Sequence, residues 1–108
     1  MDQETNEIMG LIRRYLDLLR HEGIAIEKAY LYGSHAKGGA HPHSDIDIAL
    51  ISSSFSDNRF KEGCRMAYLA VKVDSRIEPI TFRPEDFREE HPLAYEIMKW
   101  GIEIPIPK

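Results

Sequence analysis

A chain of 108 residues, 43% apolar and 30% charged, has globular composition and length for one modest hydrophobic core, so a single domain over residues 1–108 is expected. Its 18 acids against 14 Lys and Arg leave a net charge of −4, and with no basic stripe along the chain a long nucleic acid is not expected as the main partner. One cysteine, Cys64, excludes an internal disulfide. No apolar run approaches the ~18 residues of a membrane span, and no signal-peptide pattern opens the chain, so no membrane partner and a cytoplasmic location are expected.

In chain order, Ile8, Leu11, Ile12, Tyr15 and Leu19 fall at helical spacing over residues 4–21, and Gly23 supplies the stop. Ala29-Tyr30-Leu31-Tyr32 reads as a strand broken by Gly33, with both tyrosines on the side opposite Leu31 as sheet packing. Ser34 is a good N-cap for a short helix, which Gly38-Gly39 closes before Pro42 extends the loop. Residues 45–51 alternate, with Ile46, Ile48 and Leu50 on one face and Asp45 and Asp47 on the other. After a Ser-rich loop, residues 58–73 read as a helix whose inward face carries Phe60, Cys64, Ala67, Tyr68 and Val71, which makes Cys64 a buried thiol. A strand around Glu78 follows, then a helix start at Pro84, an interruption at His91-Pro92, a last helix over 93–100 and an apolar alternation over 102–106. Strands alternating with helices predict an α+β, two-layer fold: a small mixed sheet with helices packed on one face and the acids on the open face.

The chemistry concentrates between Gly33 and Asp47. Gly33 permits a close backbone approach, and free N–H groups at the start of the short helix suit a phosphate. Two carboxylates at i and i+2 on a strand are spaced to bridge metal ions about 3.5–4 Å apart, and Mg²⁺ is the natural choice for an all-oxygen site shared with phosphates. Like charges side by side on a strand repel, so the Asp45–Asp47 pair calls for a functional reason. His41 and His43 also form a His-x-His pair, but in a polar loop without a third soft ligand they read as solvated.

Gly33-Ser34, ten residues, then Asp45-Ile46-Asp47 resembles the signature of the DNA polymerase β-like nucleotidyltransferase superfamily. Gly33-Ser34-His35-Ala36-Lys37-Gly38 and Ser44-Asp45-Ile46-Asp47-Ile48-Ala49-Leu50 look like its small stand-alone members, the minimal nucleotidyltransferases that include MntA-type antitoxins of HEPN toxins. The resemblance implies the polymerase β-like fold and, as metal ligands and catalytic groups, Asp45 and Asp47 with a third acid on a later strand. Glu78 is the best match for that acid; Asp74, in a turn just before the run, reads instead as a cap. The resemblance likewise implies that Gly33, Ser34 and Ser44 lie at the nucleotide. Many members carry Arg at the position of His35 or Lys37, and Lys37 keeps a positive charge there for a phosphate, without the bidentate fork of Arg.

The implied reaction is Mg²⁺-dependent, with two ions and ATP as substrate: an acceptor hydroxyl attacks the α-phosphorus in line and pyrophosphate leaves. The acceptor expected is a protein side chain of a HEPN-type toxin, because so little chain lies outside the catalytic core. The alternatives are a small hydroxylated acceptor and a non-catalytic antitoxin that binds its toxin through the first helix or through residues 93–106, where Trp100 is a contact candidate.

Overall fold

The computed structural model describes residues 3–38 and 44–107; His41, His43 and Gly39 lie outside the described residues. The elements run α1 (Gln3–His21), β1 (Lys28–Tyr32), α2 (Ser34–Lys37), β2 (Ile46–Ile51), α3 (Arg59–Ala70), β3 (Ile77–Phe82), α4 (Pro92–Trp100) and β4 (Ile102–Ile104). They form a four-stranded mixed sheet of order β3-β2-β1-β4. β1 is antiparallel to β2 and to β4, whereas β2 and β3 are parallel, joined through α3. This is the small mixed α+β sheet that the element pattern predicts, but the helices do not keep to one face: α4 packs on the face opposite α1 and α3.

The main core lies between one sheet face and the pair α1 and α3. Ile8, Ile12, Tyr15, Leu16 and Leu19 of α1 meet Met66, Leu69 and Ala70 of α3 over Ile46, Ile48, Leu50 and Leu31. The Tyr15 hydroxyl, deep in this layer, donates to the Met66 carbonyl at 2.8 Å, and burial pushes its pKa well above the ordinary phenol range. Tyr15→Phe should therefore cost about 1 kcal/mol, read as a lowered thermal midpoint with unchanged secondary structure.

The opposite sheet face carries a second, smaller cluster. Ala49, Ile51 and Phe82 pack there against Ala94 and Ile97 of α4, with Tyr30, Tyr32, Ile80, Phe87 and Leu93 around them. Tyr30 and Phe87 have ring centroids 5.3 Å apart, which bears out the packing role expected for Tyr30. His91-Pro92 turns out to start α4: His91 is its N-cap, accepting from the Ala94 N–H at 3.3 Å, and Pro92 takes the first turn. Gly101 must lack a side chain, since a Cβ there would sit 2.5 Å from the Ile97 carbonyl and 3.2 Å from that of Leu31.

The orientation of α3 overturns a sequence expectation. Cys64 is exposed, and so are Phe60, Tyr68 and Val71, which the helical spacing had placed inward. α3 instead buries Glu62, Met66, Leu69 and Ala70. The helix carries two apolar stripes, and the aromatic one is the stronger in hydropathy, so periodicity alone chose it. Two polar contacts decide the other way: Tyr15 needs the Met66 carbonyl, and the Glu62 carboxylate accepts the Ser56 N–H at 2.7 Å to close the loop before α3. Asn58 caps the helix, accepting from the Lys61 N–H.

Candidate active site

The end of β1 next to Gly33 begins a row of three side chains. The β1–β2 register pairs Tyr32 with Asp47, and the β2–β3 register pairs Asp47 with Glu78, so Tyr32, Asp47 and Glu78 stand side by side on one face. The same registers place Tyr30, Ala49 and Ile80 in the next row, within the cluster against α4. Asp45 immediately precedes β2 and is exposed, while Asp47 is half-buried.

The electrostatics match that crowding. Burial holds the Asp47 carboxyl above the ordinary carboxylate range, Asp45 and Glu78 push it the same way, and His35 opposes them. The Tyr32 hydroxyl is pushed up to about 12, chiefly by burial, with the charges of Asp47, Glu78 and Glu96 adding. The Asp47 carboxylate thus carries a cost in repulsion, and a cation relieves such a cost.

Gly33 seats the turn against the same acids. Its φ of 74° lies in the left-handed region, and a Cβ there would overlap the Asp47 carboxylate, with Asp47 Cγ only 3.2 Å away. Gly33, and not Ser34, is the N-cap of α2; Ser34 is the first helical residue, and no side chain caps the turn. The Gly33 carbonyl takes the N–H groups of Ala36 and Lys37, so the amides of Ser34 and His35 precede the first intrahelical bond. Gly38, at φ 84°, ends the helix and returns its N–H to Ser34.

Around this centre the remaining predicted residues sort differently. The Ser44 carbonyl lies 3.4 Å from His35 Nε2, a contact that requires the Nε2–H form and ties α2 to the start of the Asp45 segment. Lys37 is held by α4: its Nζ pairs with Glu96 at 3.0 Å, with both side chains about half exposed. Asp74 holds the turn before β3, accepting from the backbone N–H and Nε of Arg76 at 2.9 and 3.0 Å, and that pairing with Arg76 lowers its pKa. This is the turn role read from the sequence, away from the Asp47 row. Sequence reasoning missed Tyr32 and Glu96 as neighbours of the acids. The period-two pattern did carry a signal for Tyr32, which shares the strand end with Gly33, but none linked Glu96 to Lys37 across 59 positions.

Asp74 allows a clean pH test. Its folded pKa lies below the ordinary ~3.9 of an unfolded Asp, so its contribution is present above that value and is lost as pH falls through the lower folded one. Asp74→Ala should lower stability at pH 7 by about 1 kcal/mol in urea melts, a difference that disappears in strong acid.

The donor set fits magnesium. Asp45, Asp47 and Glu78 offer only carboxylate oxygens, and the bare Gly33 backbone beside Asp47 leaves room that a Cβ would fill. Among the described residues no three His, Cys, Asp or Glu side chains converge into a ready-made cage.

Comparison with known proteins points the same way. The sequence is 31% identical over 81 residues to the protein adenylyltransferase MntA of Shewanella oneidensis, covering 75% of this chain and 54% of that protein. The chain therefore spans about half the length of this relative. A crystal structure from Sulfolobus solfataricus, described as a nucleotidyltransferase, matches with TM-score 0.68 over 94% of this chain and 82% of that one at 16% identity, a likeness of fold. A toxin-antitoxin structure with AMP-PNP matches with TM-score 0.66 at 26% identity, over 93% of this chain and 74% of that one. The family described as "Polymerase beta, Nucleotidyltransferase" is matched over residues 15–105, and with that span and its motif in place the chain belongs to the polymerase β nucleotidyltransferase family.

Proposed function

We propose that this chain, acting as one domain, transfers AMP from ATP to a hydroxyl on a protein partner, a HEPN-type toxin, and so serves as its antitoxin. The observation that carries the reading is the Asp47–Glu78 pair across β2 and β3 with the Gly33 backbone set against the Asp47 carboxylate. The similarity to a protein adenylyltransferase and to a toxin-antitoxin structure with AMP-PNP supports the choice of nucleotide and partner.

Two Mg²⁺ ions, held by Asp45, Asp47 and Glu78, would neutralise the triphosphate and lower the charge barrier to attack. The chain's own groups do the rest. The amides of Ser34 and His35, beside the Gly33 turn, bind the outer phosphates and orient the α-phosphorus. His35 holds the Ser44 carbonyl and fixes the approach of Asp45. Glu78, the outermost acid of the row, takes the proton of the acceptor hydroxyl as that oxygen attacks the α-phosphorus and pyrophosphate departs. Lys37 meets a phosphate only by leaving Glu96, so Lys37→Ala should raise the KM for ATP a few-fold and leave kcat nearly unchanged.

A protein acceptor suits the surface beside the site. α4 and its end expose Tyr95, Met98, Trp100 and Ile102, with Lys99 Nζ 5.7 and 5.3 Å from the rings of Tyr95 and Trp100. Glu96 on the same helix reaches Lys37, so a partner seated there lies next to the catalytic end. ATP and Mg²⁺ are cytoplasmic reagents, and among the described residues no helix is long and apolar enough to cross a membrane.

The test is incubation with Mg²⁺, α-labelled ATP and a purified HEPN-type toxin. Label on the toxin from wild type and none from Asp45→Asn/Asp47→Asn is expected. Label that persists in the double variant would sink the site assignment, and no label with any triphosphate would favour an antitoxin that acts by binding alone.

A further inference from the structure

α3 presents to solvent the stripe that a folded monomer has least reason to expose. Phe60 is 83% exposed, Tyr68 66% and Val71 60%, with Cys64 exposed between them. These positions recur at helical spacing on the side opposite Met66 and Leu69, so they form one continuous apolar ridge about three turns long. Its edge is basic. Lys61, Arg65 and Lys72 fall together along one flank, and Lys72 Nζ sits 4.9 Å from the Tyr68 ring. The one acid within α3, Glu62, is buried and turned to Ser56. A chain of net charge −4 thus gathers cations and exposed aromatics on one helix.

We infer that this ridge is a second docking surface, for a protein face that offers an apolar stripe flanked by carboxylates. Charge selects that occupant. A second copy of the chain would bring the same cations against themselves, whereas an acidic helical face pairs with them and buries the aromatics. A ridge of aromatic and β-branched side chains closes dry against another helix, while a single-stranded nucleic acid uses a groove that tracks its backbone.

The position gives the surface a distinct role. α3 packs on the sheet face that carries Ile46 and Ile48, and the Asp47 row stands on the other face. A partner held on α3 leaves the catalytic end open, so tethering and nucleotidyl transfer occur at separate places, and a held partner raises the local concentration of its acceptor hydroxyl. This assignment rests on the protein-partner reading above and names the surface that grips the partner.

The test measures binding of a purified HEPN-type toxin to the full chain by calorimetry, beside the labelling assay. Phe60→Ala/Tyr68→Ala, and separately Arg65→Glu/Lys72→Glu, should weaken binding about 30-fold or more, while Asp45→Asn/Asp47→Asn binds like wild type. These side chains are exposed, so circular dichroism should show both α3 variants folded. A bulky maleimide on Cys64, the only thiol, should block binding, and bound partner should protect Cys64 from the reagent. Wild-type affinity in both α3 variants would overturn the surface while leaving the partner reading intact; no binding by wild type would overturn the partner reading and this assignment together. A dimer of the chain alone that dissociates in Phe60→Ala/Tyr68→Ala, or tight RNA binding abolished by Arg65→Glu/Lys72→Glu, would reassign the ridge and overturn the proposal.

Discussion

Asp47→Asn is expected to abolish nucleotidyl transfer and at the same time to stabilise the protein. Asp47 is the middle of the row, adjoined by Glu78 across the parallel pair, by Asp45 two residues before it and by the Gly33 backbone. On the proposed mechanism, removing its charge removes a carboxylate that would hold metal against the triphosphate, a loss of several kcal/mol of transition-state stabilisation, or about 10³-fold or more in kcat/KM. The folded state gains because the carboxylate it loses was disfavoured there: burial, Asp45 and Glu78 all raise the Asp47 pKa, so at neutral pH the charged form costs stability. Thermal melts in a chelator should show the variant more stable than wild type, and added Mg²⁺ with ATP should raise the wild-type midpoint much more than that of the variant. A variant that loses activity together with stability would argue instead that Asp47 is a structural group.

Gly33→Ala carries the second large effect, and it arises from one methyl group. The position needs φ 74°, which costs an L-residue about 1–2 kcal/mol, and the new Cβ would also occupy the space of the Asp47 carboxylate. Either the turn or the acid must move. A displacement of about 1 Å at the reacting centre is enough to cost on the order of 100-fold. Transfer should therefore fall at least that far, with the unfolding free energy reduced by about 2 kcal/mol in urea melts. Gly10, by contrast, faces open space at its missing Cβ, and Gly10→Ala within α1 should leave activity unchanged and add a few tenths of a kcal/mol.

Much of the site was legible because its signals are local. Asp45 and Asp47 follow from a two-residue period, and Gly33 from the break at the end of a strand; both are set by backbone geometry within a few residues. The first helix, the turn at Gly38 and the turn role of Asp74 were legible for the same reason. Ser34 differed by one position, since the left-handed backbone at the turn belongs to Gly33 and the helix starts immediately after it. α3 differed by its whole orientation: two apolar stripes share that helix, and no local rule weighs them.

The sequence by itself determined the order of elements, the pair Asp45 and Asp47, the turn at Gly33 and the candidate Glu78, because spacing and backbone freedom are properties of short segments. Only the tertiary structure decided that Glu78 stands beside Asp47, that Tyr32 joins their row, that Lys37 is held by Glu96, and that Phe60, Cys64 and Tyr68 face solvent. Each of these depends on which strands pair, in what register, and on which face each helix packs. Pairing and packing are fixed by burying one core between α1, α3 and the sheet while buried polar groups such as Tyr15 and Glu62 find their partners, a condition on the whole chain at once.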